Sequence, residues 1–180
     1  MPSIPALTLV IGGASSGKSA FAERLVIAAG TERCYIATAQ AFDDEMREKI
    51  ILHQNDRAAH GWKTEEAPLD PGAVIGGLGT DQTALLDCAT MWLNNLFMAE
   101  ADLDAAFEGL VAVLAGARAP VVVVTNEVGL GIVPENALAR QFRQAQGRLN
   151  AMLAARAGLV VQVTAGLPLV LKGHLPEALG

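Results

Sequence analysis

Positive charge is scarce in this sequence. Its 180 residues carry 13 Lys and Arg against 19 Asp and Glu, for a net charge of −6 and no basic stripe. That argues against binding to nucleic acid through phosphate neutralisation. An anionic small substrate stays open, because a few cations can be gathered in one site. Cysteine is also scarce. Cys34 and Cys88 are the only two, far apart and in no zinc or redox spacing. Two free thiols in a small protein fit a reducing cytosol. No uninterrupted apolar run reaches the roughly 18–20 residues that span a bilayer. The N-terminal stretch is apolar but lacks the basic flank and cleavage-like end of a targeting segment. The expectation is a cytoplasmic protein with neither a membrane span nor a nucleic-acid partner.

What is present is apolar mass. Hydrophobic residues make up 52% and charged ones 18%, enough to build a core in a single domain over residues 1–180. Apolar runs alternate with helical patterns. Leu7–Ile11, Cys34–Ala37, Ala84–Leu86, Val121–Thr125 and Leu159–Val163 read as strands, with Leu167–Leu171 as a sixth. Helical patterns cover Lys18–Ala29, Asp43–Arg57, Thr90–Ala99, Asp102–Ala115 and Asn136–Ala157. This alternation predicts an α/β fold with a mainly parallel sheet covered on both faces. The last two strands are too close for a parallel crossover, so the final one is expected antiparallel at an edge. Pro68–Gly79 and Gly129–Pro134, rich in Gly and Pro, read as loops.

Between the first strand and the first helix lies Gly12-Gly13-Ala14-Ser15-Ser16-Gly17-Lys18-Ser19, which satisfies G-x-x-x-x-G-K-[ST]. Its glycines let the backbone curl so that N–H groups converge on phosphate oxygens. The helix that follows adds its positive end. Lys18 can reach the β- and γ-phosphates, and the Ser19 hydroxyl can ligate Mg²⁺. The loop specifies a nucleoside triphosphate, though not a reaction. A carboxylate at the end of a neighbouring strand usually completes such a site. Asp87 is the leading candidate and Glu127 the second. Each also has a plainer reading as a strand or helix cap.

Within Asp43–Arg57, residues Met46, Ile50, His53 and Arg57 share one helix face. A guanidinium and an imidazole there can meet a phosphate, one binding oxygens and the other attacking phosphorus. By residue type alone, His53 reads more readily as an ordinary surface or core histidine than as a nucleophile, and His60 and His174 still more so. Trp62 and Trp92 read as packing residues.

The chain resembles the bifunctional adenosylcobinamide kinase / adenosylcobinamide-phosphate guanylyltransferase family of cobalamin synthesis over nearly its full length. The resemblance rests on the phosphate loop, Tyr35-Ile36-Ala37-Thr38-Ala39, Asp43-Asp44-Glu45-Met46, His53 with Arg57, and Trp62-Lys63-Thr64-Glu65-Glu66. Its most specific parts are Asp87-Cys88-Ala89-Thr90-Met91-Trp92 and Asn126-Glu127-Val128-Gly129-Leu130-Gly131-Ile132-Val133-Pro134. It implies a three-layer, RecA-like phosphate-loop fold and a homotrimer with the site near subunit boundaries. It also implies ATP or GTP with Mg²⁺, and a corrinoid, adenosylcobinamide, as acceptor. The family's histidine that carries GMP falls on His53. Its guanine-nucleotide contacts fall on Gly12–Ser19 (Gly12, Gly13, Ala14, Ser15, Ser16, Gly17, Lys18 and Ser19), Ala37, Thr38, Ala39, Gln54, Asn55, Asp56, Arg57, Glu66 and Asp87. Ser19 and Asp87 fall at its metal positions, and Lys18 joins His53 in catalysis. Two departures stand out. The stretch before Trp62 is one residue longer than usual, which leaves Glu65 and Glu66 both in play, with Glu66 preferred. Asp87 stands where some members carry Glu. Two other readings remain: a single-function phosphate-loop kinase with a structural His53, and a RecA-like ATPase.

Overall fold

The structure, a computed structural model, describes residues 4–40, 48, 51, 55 and 57–177. Chain order is β1 (Leu7–Gly12), α1 (Lys18–Ala29), β2 (Glu32–Ala37), β3 (Trp62–Glu66), α2 (Pro71–Gly77), β4 (Gln82–Asp87), α3 (Ala89–Met98), α4 (Leu103–Gly116), β5 (Val121–Asn126), α5 (Ala137–Arg156), β6 (Leu159–Thr164) and β7 (Leu167–Lys172). The strands form one sheet in the order β3-β2-β4-β5-β1-β6-β7. All neighbours pair in parallel except β6 and β7, which are antiparallel. Ala165 and Gly166 join that last pair with φ of 52° and 78°, the left-handed turn that suits the twist of a tight hairpin.

The valine-rich runs are continuous rather than alternating because both faces of the sheet are buried. Successive residues of one strand feed different cores. Leu9, Ile36, Leu86, Val121 and Val123 pack on one face beneath α2, α3, α4 and α5. Val10, Tyr35, Leu85, Val122 and Val124 pack on the other against Phe21, Leu25 and Val26 of α1. Helix on sheet on helix gives the expected three layers.

Two elements depart from the expectations. β3 was not anticipated as a strand, because it is a charged edge strand with only Trp62 buried. Such an edge lacks the apolar run that marks an interior strand. The stretch Pro68–Gly79 is not all loop, since α2 forms within it. The Asp70 carboxylate accepts from Ala73 N at 3.1 Å, and Pro71 stands at the start of the helix. Both are ordinary start signals, outweighed in the sequence reading by Gly72, Gly76 and Gly77. Of the helix expected over Asp43–Arg57, Glu48, Ile51, Asn55 and Arg57 are helical, and the helical state runs on to Ala59. His53, Gln54 and Asp56 lie outside the described residues.

Candidate active site

The candidate residues on the strands and the phosphate loop gather at the C-terminal ends of the parallel strands, where open α/β sheets bind ligands. Registers bring Ala37 level with both Glu66 and Asp87, and Gly12 level with Asn126. The phosphate loop leaves β1 at this edge. Gly17 has φ 89° and caps α1, and Ser15 has φ 54°. Left-handed residues at these positions curl the backbone into an anion-binding concavity. Gly12 is dictated by space, because a Cβ there would strike Ser16 Oγ and lie 2.6 Å from the Val163 carbonyl. The β6–β7 turn buttresses the loop, with Gly166 N donating to the Ser16 carbonyl at 2.8 Å. The Lys18 ammonium donates to the Gly13 carbonyl at 3.0 Å, so it stands over the loop.

A cavity of about 520 Å³ opens beside this loop, with Ser19, Asp87, Tyr35, Arg57 and Trp62 in its wall. The Tyr35 hydroxyl donates to Asp87 Oδ2 at 2.8 Å. The Arg57 guanidinium lies 3.5 Å from the centre of the Tyr35 ring, a cation–π contact. Trp62 meets the same ring edge-on, with centroids 5.8 Å apart. Burial, and then the Asp87 charge, push the Tyr35 phenol far above the usual tyrosine range. The phenol is therefore held in its protonated form, the hydrogen-bond donor to Asp87.

Ser19 and Asp87 thus face one space with hydroxyl and carboxylate oxygens, the hard donors Mg²⁺ prefers. Among the described residues no group of three or more His, Cys, Asp or Glu side chains is placed to hold a metal ion. A donor set this small suits an ion that arrives with nucleotide phosphates and keeps several waters.

Alternation along β3 separates the two neighbouring glutamates. Glu65 points with Lys63, to which it is ion-paired at 2.7 Å, whereas Glu66 shares the face of the buried Trp62. Thr38 is fully buried. Its hydroxyl donates to the Cys88 carbonyl at 2.8 Å and accepts from Cys88 N at 2.9 Å, clamping the end of β2 to the end of β4. Asn95 of α3 donates to the carbonyls of Thr38 at 2.7 Å and Pro68 at 2.8 Å. Asn55 is helical and exposed. Glu127 is engaged in its own loop, where its carboxylate accepts from Gly129 N.

Tyr35 is the residue that sequence reasoning passed over. It is the one tyrosine of the chain, and inside an apolar run it looks like any core aromatic. A faint signal exists, because it lies two residues before Ala37 and hence on the same face of the strand.

Comparison with known proteins accords with this geometry. Residues 8–171 match the family described as cobinamide kinase / cobinamide phosphate guanyltransferase. The bifunctional adenosylcobalamin biosynthesis protein CobP of Pseudomonas aeruginosa is 41% identical over 169 residues, spanning 92% of this chain and 97% of that protein. The bifunctional adenosylcobalamin biosynthesis protein CobU of Salmonella typhimurium is 42% identical over 183 residues, spanning 92% and 99%. Among solved structures, the RadB recombinase superposes with a TM-score of 0.53 at 19% identity, covering 88% of this chain and 74% of that one. An ATPase of a type III secretion system gives 0.52 at 12% identity, covering 93% and 57%. These two likenesses bear on the fold alone, which is that of the phosphate-loop NTPases.

Proposed function

The chain belongs to the cobinamide kinase / cobinamide phosphate guanyltransferase family, and from that premise we propose how one nucleotide site performs two transfers. The observation that carries the proposal is the single cavity shared by Ser19, Asp87 and Arg57 beside the phosphate loop. In the kinase reaction the hydroxyl oxygen of adenosylcobinamide's aminopropanol arm attacks the γ-phosphorus of ATP or GTP. The bond to the β-phosphate oxygen breaks, the nucleoside diphosphate leaves, and the hydroxyl proton passes to solvent. In the second reaction an imidazole nitrogen of His53 attacks the α-phosphorus of GTP and pyrophosphate leaves. A phosphate oxygen of adenosylcobinamide phosphate then attacks that phosphorus, the P–N bond breaks, and adenosylcobinamide-GDP forms. Imidazole suits the step because it is largely neutral near pH 7 and leaves well once protonated.

In this reading the loop from Gly12 to Ser19 binds the phosphates, and Lys18 offsets charge that builds on them. Ser19 and Asp87 would hold Mg²⁺, which would supply Lewis-acid polarisation of the phosphoryl oxygens. Arg57 and Glu66, with Gln54, Asn55 and Asp56, contact the guanine nucleotide. Ala37, Thr38 and Ala39 lie at and just past the end of β2, and the hydrogen bonds of Thr38 support a role through backbone position. We read the chain as one domain acting in the cytoplasm. We also read it as a homotrimer. Exposed apolar side chains support that reading, including Leu167, Leu169 and Leu171 on β7 and Leu130, Ile132 and Val133 in the loop after β5.

The test uses GTP labelled at the α-phosphate. With Mg²⁺, the wild-type protein should take up acid-labile, base-stable label, and His53→Ala should take up none. Label surviving in His53→Ala would remove that residue as the nucleophile. Absence of label on wild type, with kinase turnover intact, would leave only the first reaction.

A further inference from the structure

We propose that Tyr35 is a positioning residue of the nucleotide site, and that it orders the metal-side carboxylate and the phosphate-side guanidinium with opposite parts of one side chain. The inference rests on the reading of Asp87 as the carboxylate that faces Mg²⁺.

The hydroxyl acts on Asp87. A carboxylate at a strand end can rotate about its side-chain bonds, and each rotamer presents different oxygens. The 2.8 Å bond from Tyr35 to Oδ2 occupies one oxygen, which leaves Oδ1 to turn toward the cavity that Ser19 also lines. Partners of metal-facing carboxylates commonly set their orientation in this way. Asp is one methylene shorter than Glu, so its reach depends more on where its backbone and partner hold it. Tyr35 and Asp87 sit on adjacent strands, with Tyr35 level with Leu85 and Ala37 level with Asp87, so the donor comes from a rigid element.

The ring acts on Arg57. With the guanidinium 3.5 Å from the ring centre, stacking orients its N–H donors around the rim of the ring, toward the cavity. Trp62 in turn braces Tyr35 edge-on, and Tyr35 is only 5% exposed. One side chain therefore sets the distance between the cationic and the metal-binding walls of the cavity.

The two contacts separate by substitution. Tyr35→Phe keeps the ring and removes the donor. Tyr35→Leu removes both. Kinase turnover of adenosylcobinamide is measured against Mg²⁺ and against nucleotide for both variants and for Asp87→Asn, with Tm taken without Mg²⁺ or nucleotide. In Tyr35→Phe the Mg²⁺ needed for half-maximal rate should rise roughly tenfold, while KM for nucleotide at saturating Mg²⁺ changes little. Tyr35→Leu should show the same Mg²⁺ shift and add a rise in nucleotide KM of about fivefold or more, from the lost stacking. The effects of Tyr35→Phe and Asp87→Asn should not add in the double variant. A purely structural role would lower Tm and leave the Mg²⁺ dependence in place. Should Asp87→Asn shift the Mg²⁺ dependence while Tyr35→Phe does not, the inference about Tyr35 is wrong and the reading of Asp87 stands. Should neither shift it, both are wrong. Should Tyr35→Leu match Tyr35→Phe in nucleotide KM, the ring has no part in placing Arg57.

Discussion

At Gly12, a methyl group would press on Ser16 Oγ and the Val163 carbonyl. The second of these belongs to a paired strand and cannot yield. Gly12→Ala should therefore displace the phosphate loop and cost about 1–3 kcal/mol of stability, with a larger loss in nucleotide affinity. Thermal melts with and without GTP would show both. Lys18 presents the other extreme, since its ammonium stands over the loop and the residue is only partly buried. Lys18→Ala should fold normally and lose about 100-fold or more in both transfers, measured as kcat for each. Cys34 bears on pH. Burial pushes its thiol from 9.0 up to about 11, so the folded protein holds that proton more tightly than the unfolded chain. The stability this contributes is fully present below the unfolded value. It is lost as pH rises through the folded one, by about 1.4 kcal/mol per unit between the two. Urea midpoints at about pH 8 and about pH 10.5 should fall less for Cys34→Ala than for wild type.

At the scale of elements, β5 and α5 are joined by a buried polar net. Thr125 donates to Asn150 Oδ1 at 2.7 Å, and Gln146 donates to Thr125 Oγ1 at 3.0 Å and to Asn150 Oδ1 at 2.9 Å. Asn150 also donates to the Asn126 carbonyl at 3.1 Å. The net fixes the site end of β5 against the longest helix. Asn150→Leu removes the acceptor that the Thr125 hydroxyl and Gln146 share and should cost about 1–3 kcal/mol, a fall in Tm of roughly 3–10 °C. Sequence reasoning located both elements but not this link, because polar residues on a helix face give no sign of which strand they meet. The same limit explains β3 and α2. The core strands were legible because burial on two faces leaves an unbroken apolar run. β3 is written in charges because one of its edges is unpaired, and the signals that start α2 are local and short.

On the scale of the whole molecule, β7 is a strand with apolar side chains out of contact with the core. Leu167 is 72% exposed and Leu169 60%. A free edge of this kind invites pairing. If copies of the chain meet there, sedimentation should give three times the 18.7 kDa of one chain. Leu169→Asp should shift the protein toward monomer and lower activity, since the β6–β7 turn also supports the phosphate loop through Gly166. A wild-type chain that sediments as a monomer at micromolar concentration would remove the trimer from the account.

By itself the sequence determined where a phosphate-loop motif stands, at Gly12–Ser19, because loop, lysine and hydroxyl are contiguous and their chemistry is local. It also determined the layered α/β fold, because burial on both faces leaves its mark strand by strand. Which strand-end carboxylate faces the cavity was decided only in three dimensions. Asp87 and Glu127 are alike as strand-end acids. The tertiary structure gives Asp87 a cavity and the Tyr35 hydroxyl, and turns Glu127 into its own loop. Likewise Glu65 and Glu66 differ only once the strand alternation of β3 is fixed by pairing with β2. Tyr35 is the clearest case. Its partners Arg57 and Asp87 come from other elements of the chain, and nothing short of the folded sheet could bring all three to one wall.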